Sequence, residues 1–88
     1  MKSEFRSSFT QDLRAIKDKS LRQRIEELIE LVEQAPRLEA IPNLKKLRHS
    51  GSYYRVRVGE YRVGLVVKGN AVTFVRCLHR REVYRYFP

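Results

Sequence analysis

The segment from Tyr53 to Arg62 constrains the fold of this 88-residue chain more than any other stretch. It reads Tyr-Tyr-Arg-Val-Arg-Val-Gly-Glu-Tyr-Arg, with apolar and basic residues alternating on both sides of Gly59-Glu60. This pattern predicts a β-hairpin with a two-residue turn, and glycine in the first turn position suits a type II′ turn. Such a turn places Arg57 directly opposite Arg62. Because like charges opposed in a sheet are destabilising, the pair predicts a bound anion, with phosphate the first candidate.

The same turn determines the two faces of the hairpin. It pairs Val56 with Val63 on an apolar face, and it pairs Arg55 with Gly64 on the face of the two opposed arginines. Both faces are therefore consistent with one register. The sequence predicts one face that packs on a core and one basic face that is open to a ligand.

The first half of the chain has apolar residues at helical spacing, after a short strand predicted over Lys2–Arg6. One helix is predicted from about Ser8 to Asp18 and a second from about Ser20 to Gln34, before a proline. Each serine is followed three residues later by glutamine, which is typical of a capping box. The two helices form a helical hairpin with one apolar face to bury.

The connections and the last strand are less determined. Leu44–Leu47 is either a helical turn or an extended segment, and a polar loop is predicted over His49–Ser52. A third long strand is predicted over Ala71–Leu78. Turns of two and of three residues before it send Arg76 to opposite faces. Together these elements predict an α+β fold of one domain, residues 1–88, with two N-terminal helices packed on one face of a small antiparallel-rich sheet.

The charge is strongly basic and uneven. The net charge is +9; residues 1–48 carry 11 basic and 8 acidic side chains, whereas residues 49–88 carry 8 basic and 2 acidic ones. Seven of the latter eight are arginines, whose planar fork of donors fits phosphate oxygens. This pattern predicts nucleic-acid binding. The lone cysteine, the polar start and the absence of a long apolar run predict a cytoplasmic protein without membrane segments.

The tail that follows the third strand adds titratable and aromatic groups: it carries His79, Arg80 and Tyr84 toward the same rim of the sheet. Such a set can cleave RNA, whose 2′-hydroxyl is its own nucleophile, because fixed arginines stabilise the charge that develops at phosphorus. Histidine is the usual proton carrier near neutral pH. The acids Glu60 and Glu82 are too dispersed for a two-metal site, so neither a metal nor another cofactor is predicted.

The segment Tyr54–Arg62, followed by His79–Tyr84, resembles the RelE group of toxins in the RelE/ParE superfamily. The order of elements agrees along nearly the whole chain. The resemblance implies the RelE-like microbial ribonuclease fold and a ribosome-dependent endoribonuclease that cuts mRNA. It also implies a cognate antitoxin protein that neutralises the toxin in a hetero-oligomer.

The resemblance implies roles for individual residues. Arg62 and Arg80 match arginines that bind the reacting phosphate, and Tyr84 matches a tyrosine that stacks on a base and joins in proton transfer. Well-known members have lysines where this chain has Arg55 and Arg57, which leaves the general base open. The predicted catalytic residues are Arg57, Arg62, Arg80, Tyr84 and His79, and the predicted RNA-binding residues are Arg55, Arg81 and Arg85.

Two other functions stay open. The first is a ParE-like toxin that poisons DNA gyrase on the same scaffold, against which Arg57, Arg62, Arg80 and Tyr84 argue. The second is an RNA-binding module without catalysis, which the exchange of lysine for arginine keeps possible.

Overall fold

A computed structural model describes residues 1–47 and 51–88, and it confirms the predicted α+β class. The elements in chain order are β1 (Lys2–Phe5), α1 (Ser7–Ala15), α2 (Lys19–Gln34), a 3₁₀ turn (Leu38–Ala40), β2 (Leu44–Lys46), β3 (Tyr53–Val58), β4 (Tyr61–Lys68), β5 (Ala71–His79) and α3 (Val83–Tyr86). Within the described ranges, no helix is both long and apolar enough to cross a lipid bilayer.

The five strands form one sheet in the order β1-β5-β4-β3-β2. β1 runs parallel to β5, and every other neighbouring pair is antiparallel. β2 resolves the choice left open for residues 44–47 in favour of an extended segment, which pairs with β3 at the sheet edge. The predicted loop that begins at His49 lies in part outside the described residues.

The predicted hairpin register is confirmed. Arg57 pairs with Arg62, and Arg55 pairs with Gly64. Gly59 has φ +59°, the left-handed value that the first position of a type II′ turn requires. The alternation of side chains therefore sets the two faces of β3 and β4 as the sequence predicts.

β5 contains an irregularity that the sequence does not reveal. The turn between β4 and β5 has two residues, since Lys68 pairs with Ala71. The register of these two strands then shifts between Gly64 and Leu65. Gly64 pairs with Arg76, whereas Leu65 pairs with Phe74, so one extra residue of β5 bulges out. The bulge reverses the faces of the rest of β5 and brings Arg76 onto the basic face.

Both N-terminal helices pack on the apolar face of the sheet, as predicted. Their buried side chains include Phe9, Ile25 and Val32, which join the same core as Val63 and Phe74 of the sheet. Burial of these side chains supplies most of the free energy that holds the helices in place.

The predicted helix starts are wrong in detail. Ser8 does not cap α1, because its hydroxyl donates to the carbonyl of Val75 at 2.6 Å. α1 ends at Ala15, before the predicted Asp18, and Asp18 instead caps α2. Its carboxylate accepts the backbone N–H groups of Ser20 and Leu21, at 2.9 and 3.2 Å. Aspartate and serine are both favoured as the N-cap residue of a helix, and Asp18 rather than Ser20 occupies this position in α2.

α1 also supplies a hydrogen-bond acceptor to the edge of β5, beyond the point where β1 ends. The Asp12 carboxylate accepts the backbone N–H of Cys77 at 2.9 Å and receives the Arg76 guanidinium through two hydrogen bonds of 2.7 and 3.1 Å. An exposed strand edge would otherwise leave donors open to other chains. Asp12 therefore fixes the same part of β5 that follows the bulge.

The C-terminal tail covers part of the basic face. Val83 and Phe87 are buried in a second small core with Val66 and Val75. A Cβ atom on Gly64 would lie 2.7–2.8 Å from the Phe87 ring, so only glycine leaves room for the ring against the sheet. The tail therefore lies across the middle of this face and leaves the end with Arg57 and Arg62 open.

Candidate functional site

A shallow concavity of about 360 Å³, here the first concavity, lies on the basic face beside the β3–β4 hairpin. Its floor carries the opposed pair Arg57 and Arg62. The lining residues come from β2, β3, β4 and the tail: Asn43, Leu44, Lys45, Arg55, Arg57, Arg62 and Tyr84. The hairpin register predicted from the sequence thus brings Arg57 and Arg62 together here, and the structure adds an outer wall to the concavity.

Arg62 is held in place by the turn that precedes it. Its Nη1 donates to the carbonyl oxygens of Gly59 and Tyr61, both at 2.9 Å. An arginine has five N–H donors, and these two contacts leave the Nε and Nη2 hydrogens for a ligand. The guanidinium is thus oriented before any phosphate arrives, which lowers the cost of binding.

Arg57 lies across from Arg62 and is exposed. Its backbone N–H donates to the carbonyl of Asn43 at 3.3 Å. Among the described residues, neither Arg57 nor Arg62 forms an ion pair with a carboxylate. Two positive charges therefore stand together without internal compensation, the arrangement that an anionic ligand would stabilise.

A second concavity of about 270 Å³ adjoins the first and shares Arg62 and Tyr84 with it. Its other lining residues are Arg80 and Arg81. Arg80 is anchored to the hairpin turn, since its Nε lies 2.7 Å from a Glu60 carboxylate oxygen. Both side chains are more than half exposed, and exposed ion pairs contribute at most about 1 kcal/mol, so a phosphate can compete for Arg80.

Arg55 and Tyr84 form a contact between the sheet and the tail. Arg55 is only 9% exposed, and its guanidinium carbon lies 4.7 Å from the centre of the Tyr84 ring. Tyr84 is 77% exposed, so the other side of its ring is open to a ligand. A hydrogen bond with Arg55, together with the positive charges of Arg55, Lys45 and Arg62, lowers the pKa of Tyr84.

His79 does not lie with the arginines. It pairs with Tyr61 on the helix face of the sheet, and the two rings meet edge to face with centres 5.6 Å apart. Its Nδ1 accepts the backbone N–H of Arg81 at 3.2 Å. The bulge in β5 is the physical reason, because it turns His79 to the face opposite Arg62. The prediction that His79 carries the proton at this site loses its geometric basis.

Of the remaining predicted residues, one lines a concavity and one does not. Arg81 lines the second concavity beside Arg80, whereas Arg85 is exposed on α3 and lines neither concavity. Sequence reasoning missed Asn43 and Lys45, which lie in the wall formed by β2 and the residue before it. An extended reading of residues 44–47 would put Lys45 on the face opposite its neighbours, but the sequence leaves that reading open beside a helical turn.

Three kinds of group therefore meet at this surface: fixed guanidinium groups, an exposed aromatic ring and side chains able to exchange a proton. Arginines bind and stabilise phosphate, and an exposed ring stacks on an unpaired base. Across residues 1–47 and 51–88, no three His, Cys, Asp or Glu side chains come together as metal ligands. The arrangement suits an RNA phosphodiester better than a neutral small molecule, which would prefer a deeper apolar pocket.

Known proteins match this chain over nearly its whole length. A profile of the family described as "ParE toxin of type II toxin-antitoxin system, parDE" matches residues 4–84. The chain is 38% identical to Toxin RelE3 of Methanocaldococcus jannaschii over 89 residues, covering 100% of both chains.

Solved structures agree as well. The toxin in the RelB–RelE antitoxin–toxin complex of Methanococcus jannaschii aligns with a TM-score of 0.83 at 36% identity, covering 97% of this chain and 99% of that one. A YoeB dimer from Staphylococcus aureus shares the fold, with a TM-score of 0.73 at 24% identity over 90% of this chain and 95% of that one. The resemblance seen in the hairpin and tail is thus confirmed: the chain belongs to the RelE/ParE family, the toxins of type II toxin–antitoxin systems.

Proposed function

We propose that this toxin is an endoribonuclease that cuts mRNA on the ribosome by attack of the RNA's own 2′-hydroxyl. The observation that carries the proposal is the pair Arg57 and Arg62, directly opposed on an open concavity and, among the described residues, without a carboxylate partner. A purely structural surface would avoid this pair, because it costs stability unless an anion binds between the two charges.

The pair is suited to a phosphodiester in the course of cleavage. When the 2′-oxygen attacks, negative charge accumulates on the oxygens around phosphorus, and positive groups already in place stabilise it. Arg62 is oriented by its bonds to the turn, and Arg80 approaches from the second concavity. The P–O5′ bond then breaks, which leaves a 2′,3′-cyclic phosphate on one fragment and a 5′-hydroxyl on the other.

Tyr84 is suited to two tasks at the same surface. Its ring is 77% exposed and stands over Arg55, so a base can stack on the open side and splay the strand. Its pKa is lowered by Arg55, so more of the phenol is ionised at a given pH and can accept the 2′-hydroxyl proton. Tyr84 thus takes the proton-carrying role that the sequence predicted for His79, which lies on the opposite face of the sheet.

The ribosome enters the proposal because the surface is shallow. Two adjoining concavities on a sheet surface can hold a phosphate and a base, but they cannot fix a flexible single strand in the in-line geometry that attack requires. mRNA in a decoding site is already held in one conformation. The net charge of +9 would favour docking to that ribonucleoprotein surface in the cytoplasm.

We also infer a cognate antitoxin partner. The M. jannaschii structure at 36% identity is that of an antitoxin–toxin complex. An uncompensated basic face on a chain of charge +9 favours an acidic, partly disordered segment that covers it. The proposed resting state is therefore a hetero-oligomer in which the arginine pair is not available to RNA.

Primer extension on mRNA in a translating extract tests the activity. Wild-type protein is expected to create new 5′ ends within codons, and Arg62→Ala is expected to lower the cleavage rate by about 10²-fold or more. Arg22→Ala is the matched control, because it removes one positive charge from the exposed surface of α2, away from the basic face. Equal cleavage by wild type and Arg62→Ala would remove the arginine pair from the mechanism.

The two other functions have their own signatures in parallel assays. Plasmid DNA trapped and cleaved with gyrase, while mRNA stays intact, would indicate the ParE-like activity that shares this family. Salt-dependent binding to ribosomes without any new 5′ ends would indicate a binding module that lacks catalysis. Either result would overturn the proposed reaction and leave the family membership unchanged.

A further inference from the structure

Lys45 is part of the same surface, although it lies on a different strand from the arginines. It pairs directly with Arg55 across β2 and β3, so the two side chains leave the sheet on the same face. Directly opposed side chains have Cβ atoms about 5 Å apart. Lys45 lines the first concavity together with Arg57, Arg62 and Tyr84.

Cleavage needs one group to take a proton from the 2′-hydroxyl and another to give one to the departing 5′-oxygen. The guanidinium groups of Arg55, Arg57 and Arg62 hold their protons too firmly for either task. The remaining lining residues besides Lys45 and Tyr84 are an asparagine and a leucine, which do not titrate. Within the wall of the first concavity, the phenol and the ammonium are therefore the groups able to exchange a proton.

Tyr84 and Lys45 lie at different parts of the first concavity. Tyr84 stands where the two concavities meet, since it lines both. Lys45 lines the first concavity but not the second, and it comes from the outer strand of the sheet. Lys45 thus borders the first concavity from β2, and Tyr84 borders it from the tail, at the same concavity that contains Arg57 and Arg62. In-line displacement needs one proton acceptor and one proton donor, and these two groups from different elements can supply one of each.

We propose that Lys45 is a catalytic residue whose ammonium protonates the leaving 5′-oxygen; this rests on the proposed ribonuclease function. The 2′-oxygen forms its bond to phosphorus and gives its proton to the Tyr84 phenolate. The P–O5′ bond breaks, and the electron pair on O5′ takes a proton from the Lys45 ammonium. One proton is taken up and one released, so the step balances without any further reactant.

Substitution separates proton donation from charge. Lys45→Arg keeps the positive charge but holds its proton too firmly, and Lys45→Gln removes both. If Lys45 donates a proton, both variants are expected to cleave mRNA on ribosomes about 10²-fold more slowly than wild type. Lys46→Arg and Lys46→Gln are matched controls, because Lys46 is the next residue of β2 and pairs with Tyr54 on the opposite face.

An mRNA whose scissile linkage has sulfur in place of the 5′-oxygen gives the sharper test. A thiolate leaves without being protonated, so this substrate is expected to restore cleavage by Lys45→Gln to within a few-fold of wild type. Arg62→Ala is expected to stay slow on the same substrate, because its defect lies in charge stabilisation. This contrast is one that a merely structural role for Lys45 would not produce.

The outcomes are distinguishable from failure of the function itself. If wild type does not cleave ribosome-bound mRNA, the proposed function fails, whatever Lys45 does. If wild type cleaves and Lys45→Arg is as fast as wild type, Lys45 supplies charge alone and the inference is wrong. If both Lys45 variants are slow but sulfur substitution does not restore them, the proton donor is another group and the inference is equally overturned.

Discussion

Replacing Gly64 with alanine should undo the docking of the C-terminal tail. Gly64 lies between Arg55 and Arg76 in one row across the sheet, and the Phe87 ring packs against it. An alanine Cβ would meet ring atoms at 2.7–2.8 Å, closer than packed carbon atoms tolerate. The ring must move away, and it carries the tail that presents Tyr84 over Arg55.

The size of the effect follows from what the ring loses. Phe87 is 3% exposed, and removing a buried phenylalanine side chain costs about 3 kcal/mol where the surrounding core is small. Gly64→Ala keeps the ring but displaces it, so we expect a loss of unfolding free energy between about 1 and 3 kcal/mol, the usual cost of overpacking. In urea, with a slope of roughly 1 kcal/mol per molar for a chain this short, the midpoint should fall by about 1–3 M.

A double-mutant cycle with Phe87→Ala isolates the clash. Gly64 does not have a positive φ, so alanine fits its backbone without strain. Once the ring is absent, Gly64→Ala should therefore stabilise the protein by about 0.5 kcal/mol, through the reduced entropy of the unfolded chain. The same substitution thus changes sign with the state of residue 87. Urea unfolding followed by circular dichroism measures all four proteins, and additive effects of the two substitutions would refute the packing argument.

Two further predictions concern titratable groups. Arg55 lowers the pKa of Tyr84. The tyrosinate absorbance step that Tyr84→Phe removes should therefore lie at lower pH than that of an ordinary tyrosine, and Arg55→Ala should move it to higher pH; an unmoved step would contradict the contact. Burial raises the pKa of the Cys77 thiol to about 12, so at pH 8 a thiol reagent should label folded protein far more slowly than urea-unfolded protein, and rapid labelling of the folded chain would show that Cys77 is accessible.

The hairpin could be predicted from sequence because its information is local. Alternation of apolar and basic residues about Gly59 gives a register in which both faces are consistent, and the structure has the same pairing of Arg57 with Arg62. β5 could not be predicted in the same way. Its single bulged residue brings Arg76 onto the basic face and turns His79 away from it. A bulge adds one residue without a distinctive sequence signal, and every side chain beyond it changes face.

The positions of Lys45 and Phe87 could not be predicted from the sequence for a different reason. β2 is three residues long, too short for alternation to distinguish a strand from a turn, so nothing local places Lys45 beside Arg55. Phe87 reaches Gly64 from 23 residues further along the chain, and its contact depends on the tail folding back over the sheet. Such contacts depend on tertiary packing, which local propensity does not determine.

In the proposed reaction, the arginines that bind phosphate and the groups that exchange protons lie on parts of the fold that are packed to different degrees. Arg57 and Arg62 belong to β3 and β4, strands in the interior of the sheet whose other face packs on the main core. Lys45 and Tyr84 come from the edge strand and the tail, which have fewer neighbours to hold them. A phosphate can therefore bind to charges carried by strands that the main core supports, while the proton carriers lie at the periphery of the sheet. Lys45→Gln and Tyr84→Phe should consequently slow turnover more than they weaken RNA binding, because Arg57 and Arg62 and the aromatic ring at position 84 stay in place.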